Sequence, residues 1–186
     1  MPLPKESLRG FILVIWAFSR SWVQVFPSCI RKKIILIDLK MKILLQRIRE
    51  GRVTIEGEPI GETGPGLCLF LGIAKEDTER DADELVEKVT QLRVFEDQTG
   101  KMNRSLKDVN GEILIVSEFT LYGDCTRGRR PSFSQAAPPE EAQKLYFYFV
   151  QKVKDLGIKV ATGRFQAKMD VRTINDGPVT LILESP

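Results

Sequence analysis

A chain of 186 residues, 42% hydrophobic and 28% charged, has room for one folded core and a tail, and its composition excludes collagen-like repeats and disorder. The formal net charge of +3 is unevenly spread, because residues 1–40 hold seven Lys or Arg against two acids. Taking that +5 away leaves residues 41–186 at −2, too acidic to hold nucleic acid by bulk charge, so any RNA contact there has to be local.

In chain order, Phe11–Phe18 (FILVIWAF) follows Lys5 and Arg9 in the manner of a signal peptide's basic and apolar parts. The run is far short of the roughly 20 apolar residues that span a bilayer. Arg20, Trp22 and Gln24 stand where a small-x-small cleavage site would. The basic, acid-poor composition leaves two readings, an organellar transit peptide or an extension without a folded role. Met41 is a natural start, which divides the chain into a non-catalytic N-terminal extension, 1–40, and a working domain, 41–186.

Within that domain, imperfect alternation over Lys42–Ile48 predicts a strand, and Arg52–Ile55 with Pro59–Glu62 about Glu56-Gly57-Glu58 predicts a hairpin. Gly64-Pro65-Gly66 is a turn before the apolar run Leu67–Ile73, a buried strand. Asp77 and Thr78 are helix caps, and Ala82, Leu85, Val86, Val89 and Leu92 fall on one face of the helix that follows. Val94-Phe95 is a short extended piece before the turn Asp97–Gly100. Glu112–Phe119 (EILIVSEF) is a strand. Pro138-Pro139 opens a second helix closed by Gly157. Ile158–Ala161, Asp170–Thr173 and Val179–Leu183 complete the strands. The pattern predicts an α+β fold, a curved or barrel-like mixed sheet covered by two main helices.

Three widely spaced cysteines without a CxxC pair suggest neither a disulfide framework nor a zinc site, and fit a reducing, cytoplasmic setting. The chain contains no histidine, which removes the commonest general base and metal ligand and every Ser-His or Cys-His arrangement.

Four clusters invite a functional reading, each beside a plainer one. Ser117-Glu118-Phe119-Thr120 could present hydroxyls and N–H groups to a developing oxyanion, or merely end a strand. Asn175–Thr180 (NDGPVT) holds a Gly-Pro pair that is an ordinary turn on spacing alone. Arg127–Phe133 could grip phosphate and stack on a base, or be a solvated basic loop. Arg47 on the first strand means little on a solvent face; turned inward it would have to organise carbonyls or a carboxylate. Gly61-x-x-Gly64-x-Gly66 is no dinucleotide fingerprint, since a strand and not a helix follows.

Taken together, Gln46-Arg47, GPGL at 64–67, FED at 95–97, GKMN at 100–103, SEFTLYGD at 117–124, GRRPSF at 128–133 and NDGPVT at 175–180 resemble the D-aminoacyl-tRNA deacylases, formerly called D-tyrosyl-tRNA deacylases. The resemblance runs from Met41 to about Ser185. It implies hydrolysis of the D-aminoacyl-tRNA ester as chiral proofreading in translation, releasing D-amino acid and free tRNA, with glycyl-tRNA as a further conceivable ester. It also implies no metal or organic cofactor and a homodimer with active sites at the subunit interface. Gly177-Pro178 would enter the partner's pocket as a cis pair, its carbonyls reading chirality, with Asn175 and Thr180 beside it and Arg47 holding the loop. Ser117, Glu118, Phe119 and Thr120 form the catalytic set. Lys101, Met102, Arg129, Arg130, Phe133, Phe165 and Met169 match segments near the acceptor-end adenosine.

The family has been discussed with the Thr as nucleophile and with the terminal ribose 2′-OH assisting hydrolysis. Without histidine, Thr120 has no obvious base, which favours the ribose. Glu118 stands where the family usually has Gln; it could keep the same hydrogen-bond acceptor, act as a weak base or point away, and Glu118→Gln is expected to retain or raise activity. A silent RNA-binding module and a different esterase or amidase using Thr120 with a carboxylate base are the competing readings. A chain beginning at Met41 is expected to fold and keep its turnover, as checked by circular dichroism and a deacylation assay.

Overall fold

The computed structural model describes residues 40–186; the apolar run at 11–18 and the extension lie outside the described residues, apart from Lys40. The domain is organised on one long strand, β1 (Lys42–Ile55), which joins the two segments that alternation had separated. β1 pairs antiparallel with β3 (Gly66–Gly72) over its first half and with β2 (Glu58–Thr63) over its second, and with β8 (Asp170–Glu184) along nearly all of it. β6 (Glu112–Ser117) lies parallel to β3, and β7 (Val160–Thr162) parallel to β6. These pairings make a six-stranded mixed sheet.

The parallel steps require crossovers. The first contains α1 (Glu79–Gln91) and the hairpin of β4 (Phe95–Glu96) with β5 (Met102–Arg104), and the second contains α2 (Pro139–Asp155). Asp81 accepts from the backbone N–H and hydroxyl of Thr78 at 2.8 and 2.7 Å, fixing the start of α1. The sheet curls until β2 meets β7. A Cβ on Gly61 would stand 2.5 Å from the carbonyl oxygen of Thr162, so only glycine allows this near closure into a barrel.

Period-two alternation divides the apolar residues between two cores. On the helix side, Ile43, Leu45, Leu67, Leu69, Leu71, Ile113 and Ile115 meet Ala82, Leu85 and Val89 of α1 and Tyr146, Phe149 and Val153 of α2. The opposite face buries Ile48, Val53, Cys68, Leu114 and Val116 inside the curl.

Two predicted elements differ. Glu112–Phe119 ends as a strand at Ser117, and Phe119–Tyr122 winds into a short 3-10 helix capped by Glu118. Asp170–Thr173 and Val179–Leu183 are one strand, so Asn175–Thr180 is not a turn between strands but an irregularity inside β8. Gln46 pairs with Thr180 while Ile48 pairs with Asn175, so two steps along β1 face five along β8 and the intervening residues bulge from the ladder.

Asp77, at the entry to α1, accepts from the N–H of Ala74 at 2.6 Å. Burial pushes its carboxyl from 3.8 up to about 7, against the stabilising hydrogen bond from Ala74. The folded state then binds more protons than the unfolded chain between these two values, so this group's contribution to stability declines as pH rises through that window. Asp77→Asn should remove the dependence: the melting temperature of the variant relative to wild type is expected to rise between pH 4 and 7 and to level off above.

Candidate active site

A cleft of about 850 Å³ opens where β3 and β6 end, between the 3-10 helix, the start of α2 and the segment that leads into β8. Leu71, Val116, Ala137, Ala142, Phe165 and Met169 give it an apolar wall, and Ser117, Glu118, Lys75 and Ser134 supply polar groups. Phe119 and Phe133 stand at its edge, their rings edge-to-face at 5.0 Å between centroids. Phe165 lies against Tyr146 of the core, 5.8 Å between ring centroids. The sulfur of Met169 accepts from the N–H of Arg164 at 3.2 Å. Six of the sequence-predicted residues, Ser117, Glu118, Phe119, Phe133, Phe165 and Met169, are thus brought together.

The strand-to-helix transition sets the polar end of this cleft. The N–H of Glu118 donates to the Leu71 carbonyl at 2.8 Å, tying the residue to the end of β3. Its side chain folds forward, and Oε1 accepts from the Thr120 N–H at 3.3 Å and from the Thr120 hydroxyl. Tyr122 anchors the far end of the turn from beneath, its hydroxyl 2.7 Å from the Lys40 carbonyl oxygen and 3.1 Å from that of Gly72. Thr120 thus has an acceptor for its proton, one of the alternatives open for Glu118, and its N–H is engaged by the same atom. Sequence order did not show this geometry, because the strand pattern read through Glu118 and its side chain turns back.

A second cluster gathers around Arg47, whose side chain is only 5% exposed. Alternation places Arg47 among inward-facing Ile43 and Leu45, so the guanidinium must find partners. Nε donates to the Asp176 carbonyl at 3.0 Å and Nη1 to the Val94 carbonyl at 2.6 Å, while the carboxylates of Asp176 and Glu96 lie at 3.3 and 3.5 Å. Arg49 joins the Asp176 carboxylate from the solvent side at 3.0 Å. These bonds fix the approach to Gly177-Pro178, which is a cis peptide. At φ +127°, and with a Cβ set to meet Arg47 Nη2 and Val179 N at 3.0 Å, position 177 admits only glycine.

Val94 and Glu96 carry the same network into the β4–β5 hairpin. Asp97 accepts from the Asn103 side chain, the Thr99 hydroxyl and N–H, and the Lys101 N–H. Those bonds, the one from Asn103 foremost, hold its carboxyl well below the usual carboxylate range. The hairpin presents Lys101 and Met102 to solvent. Asn175 and Thr180 are exposed on either side of the bulge. Arg129 and Arg130 are exposed in the loop before Phe133, which the Asp124–Ser132 bridge closes. Neither Arg47 nor Gly177-Pro178 lines the cleft. The predicted residues therefore form two groups within one chain. Sequence reasoning passed over Asp176, although it stood inside a quoted motif, and over Lys75, which no motif marked. Among the described residues, no group of three or more Cys, Asp or Glu is placed to hold a metal ion.

Comparison with known proteins gives a consistent result. A family model described as D-Tyr-tRNA(Tyr) deacylase matches residues 44–184. A D-aminoacyl-tRNA deacylase of Heliobacterium modesticaldum is 56% identical over 144 residues, 77% of this chain and 96% of that protein. One of Thermotoga petrophila is 52% identical over 145 residues, covering 78% and 97%. Among solved structures, the c-Myc DNA Unwinding Element Binding Protein superposes with a TM-score of 0.73 at 41% identity, covering 78% of this chain and 99% of that one. A probable eukaryotic D-amino acid tRNA deacylase gives 0.71 at 18% identity with the same coverage, a likeness of fold.

Arg47→Lys keeps the charge but cannot reach the Asp176 and Val94 carbonyls together from one planar fork. It is expected to lose about 1–3 kcal/mol, read as a lower urea midpoint, with faster amide exchange in the 94–104 hairpin and around Asp176.

Proposed function

Belonging to the D-Tyr-tRNA(Tyr) deacylase family, the chain hydrolyses the ester bond of D-aminoacyl-tRNA, and we propose that two copies assemble so that each cleft is completed by the other's Gly177-Pro178 loop. The observation that carries this reading is the division of the site: the cleft lined by Ser117, Glu118 and Phe119 and the Arg47-held loop are separate features of one chain. A second observation favours a partner of the same kind. Leu44 pairs with both Phe70 and Ile182, so these three side chains form an apolar row on the sheet face away from the helices. Ile182 at its edge is 70% exposed, which a second copy would cover.

In the proposed reaction water adds to the ester carbonyl carbon and the bond to the ribose 3′-oxygen breaks, the water's proton passing to that oxygen. The ribose 2′-OH assists, and the cleft holds the acyl group beside the 3-10 helix. The Gly177-Pro178 carbonyls of the second copy take the α-amino group, leaving no room for an L side chain. Phe133, Phe165 and Met169 pack on the terminal adenosine, with Lys101, Met102, Arg129 and Arg130 toward the backbone of the acceptor end. No step calls for a metal ion or an organic cofactor.

Residues 41–186 are the catalytic unit in this reading, supported by relatives that match almost their whole length there. Action on the tRNA of translation supports a cytoplasmic setting in this reading. Among the described residues no helix is long and apolar enough to cross a membrane.

The deciding assay compares D-tyrosyl-tRNA with L-tyrosyl-tRNA, with and without a chelator. Loss of the D ester alone, unaffected by chelator, is expected; equal turnover of both esters would defeat the chiral reading. Ile182→Glu should shift sedimentation from dimer to monomer and lower turnover at least tenfold, whereas a fully active monomer would rule out a shared site.

A further inference from the structure

We infer that Glu118 is a positioning residue for Thr120 and acts through the acceptor at Oε1, not through its charge. The inference rests on the deacylase reading, since Thr120 belongs to the proposed acyl site. Its physical basis is a proton count. A threonine hydroxyl has one proton to donate and two lone pairs with which to accept. Here the proton is directed to Glu118 Oε1, so toward any further group Thr120 Oγ1 can only accept. A developing oxyanion would be repelled there, whereas a donor on the substrate would be received.

The geometry is held from both sides. The Glu118 N–H is tied to Leu71 at 2.8 Å and its carbonyl accepts from the Leu121 N–H at 3.5 Å, so the backbone that carries the carboxylate is fixed across the turn. Oε1 also takes the Thr120 N–H at 3.3 Å, which locks the residue's backbone and its hydroxyl to one atom. Thr120 itself is exposed, and among the described residues no other hydrogen bond orients its side chain. Glu118 forms no ion pair among the described residues, and its side chain's hydrogen bonds there are those that Oε1 accepts from Thr120. A glutamine presents the same Oε1 acceptor at the same reach. The departure from the family's usual Gln therefore conserves the one atom that matters.

The test measures D-tyrosyl-tRNA turnover by wild type, Glu118→Ala, Glu118→Gln, Thr120→Val and the Glu118→Ala/Thr120→Val double variant, with thermal unfolding as the check on folding. Glu118→Ala is expected to lose about three- to tenfold in kcat/KM, the range of one hydrogen bond. Glu118→Gln should recover most of that loss, and the loss should shrink when Thr120 is already Val, which leaves only the N–H contact. A Glu118→Gln variant as impaired as Glu118→Ala would overturn the inference by making the charge essential. So would a Glu118→Ala loss that persists undiminished in the Thr120→Val background. A wild-type protein without D-ester turnover would overturn the functional reading and this inference with it, whereas active wild type with uncoupled variants would overturn this inference alone.

Discussion

The buried guanidinium of Arg47 is the constraint on which the rest of the site depends. A charge turned into an apolar core is tolerated only where neighbouring groups replace its hydration. β1 delivers Arg47 to the helix-side face by simple alternation, and the surrounding chain must then supply acceptors. It supplies them from two places remote in sequence, the Val94-to-Glu96 segment entering the β4–β5 hairpin and Asp176 in the β8 irregularity. One planar fork therefore sets the position of the hairpin and of the Gly177-Pro178 loop together. The interaction is better understood as a specifier of geometry than as a source of stability, because hydrophobic groups of the same shape could fill the space without fixing either loop.

That role explains why the site is divided. A loop that bulges from the middle of a long strand leaves the ladder, and in this chain Gly177-Pro178 does not line the cleft. The cleft lies at the ends of the parallel pair β3 and β6, where the main chain must leave the sheet and where N–H groups and short polar side chains are available. Uniting the two within one chain would require unmaking the β1–β8 ladder. In the proposed pair of chains the two meet with that ladder intact, the helix-free face with Phe70, Leu44 and Ile182 in one row being covered by its counterpart.

The elements whose burial follows a simple period were legible in the sequence. The α1 stripe from Ala82 to Val89, the run at Leu67–Ile73 and the Pro-to-Gly limits of α2 each express one physical rule. What escaped were places where a local rule gave way to pairing. β8 reads as two strands because Asn, Asp, Gly and Pro carry turn chemistry, yet β1 offers an uninterrupted partner on both sides and the ladder resumes past the bulge. β5 was invisible because Met102–Arg104 is wholly exposed and has no alternation to display. At Ser117–Thr120 the motif could be singled out from composition, but its internal hydrogen bonds could not. They depend on β6 ending one residue before Glu118 and on the following turn tightening to 3-10 geometry.

A hydrolytic site without histidine has to do by placement what imidazole does by proton transfer. In this fold the placement comes from a turn closed by the Glu118 side chain, a loop held through its carbonyl by Arg47, and glycine where any Cβ would collide. In the proposed reaction these groups select and orient an ester that is already labile, and the D configuration matters more than the identity of the side chain. Main-chain carbonyls at fixed positions can exclude one hand of an α-carbon while remaining indifferent to what it bears, and a rigid Arg47-anchored loop suits that task better than a mobile side chain would.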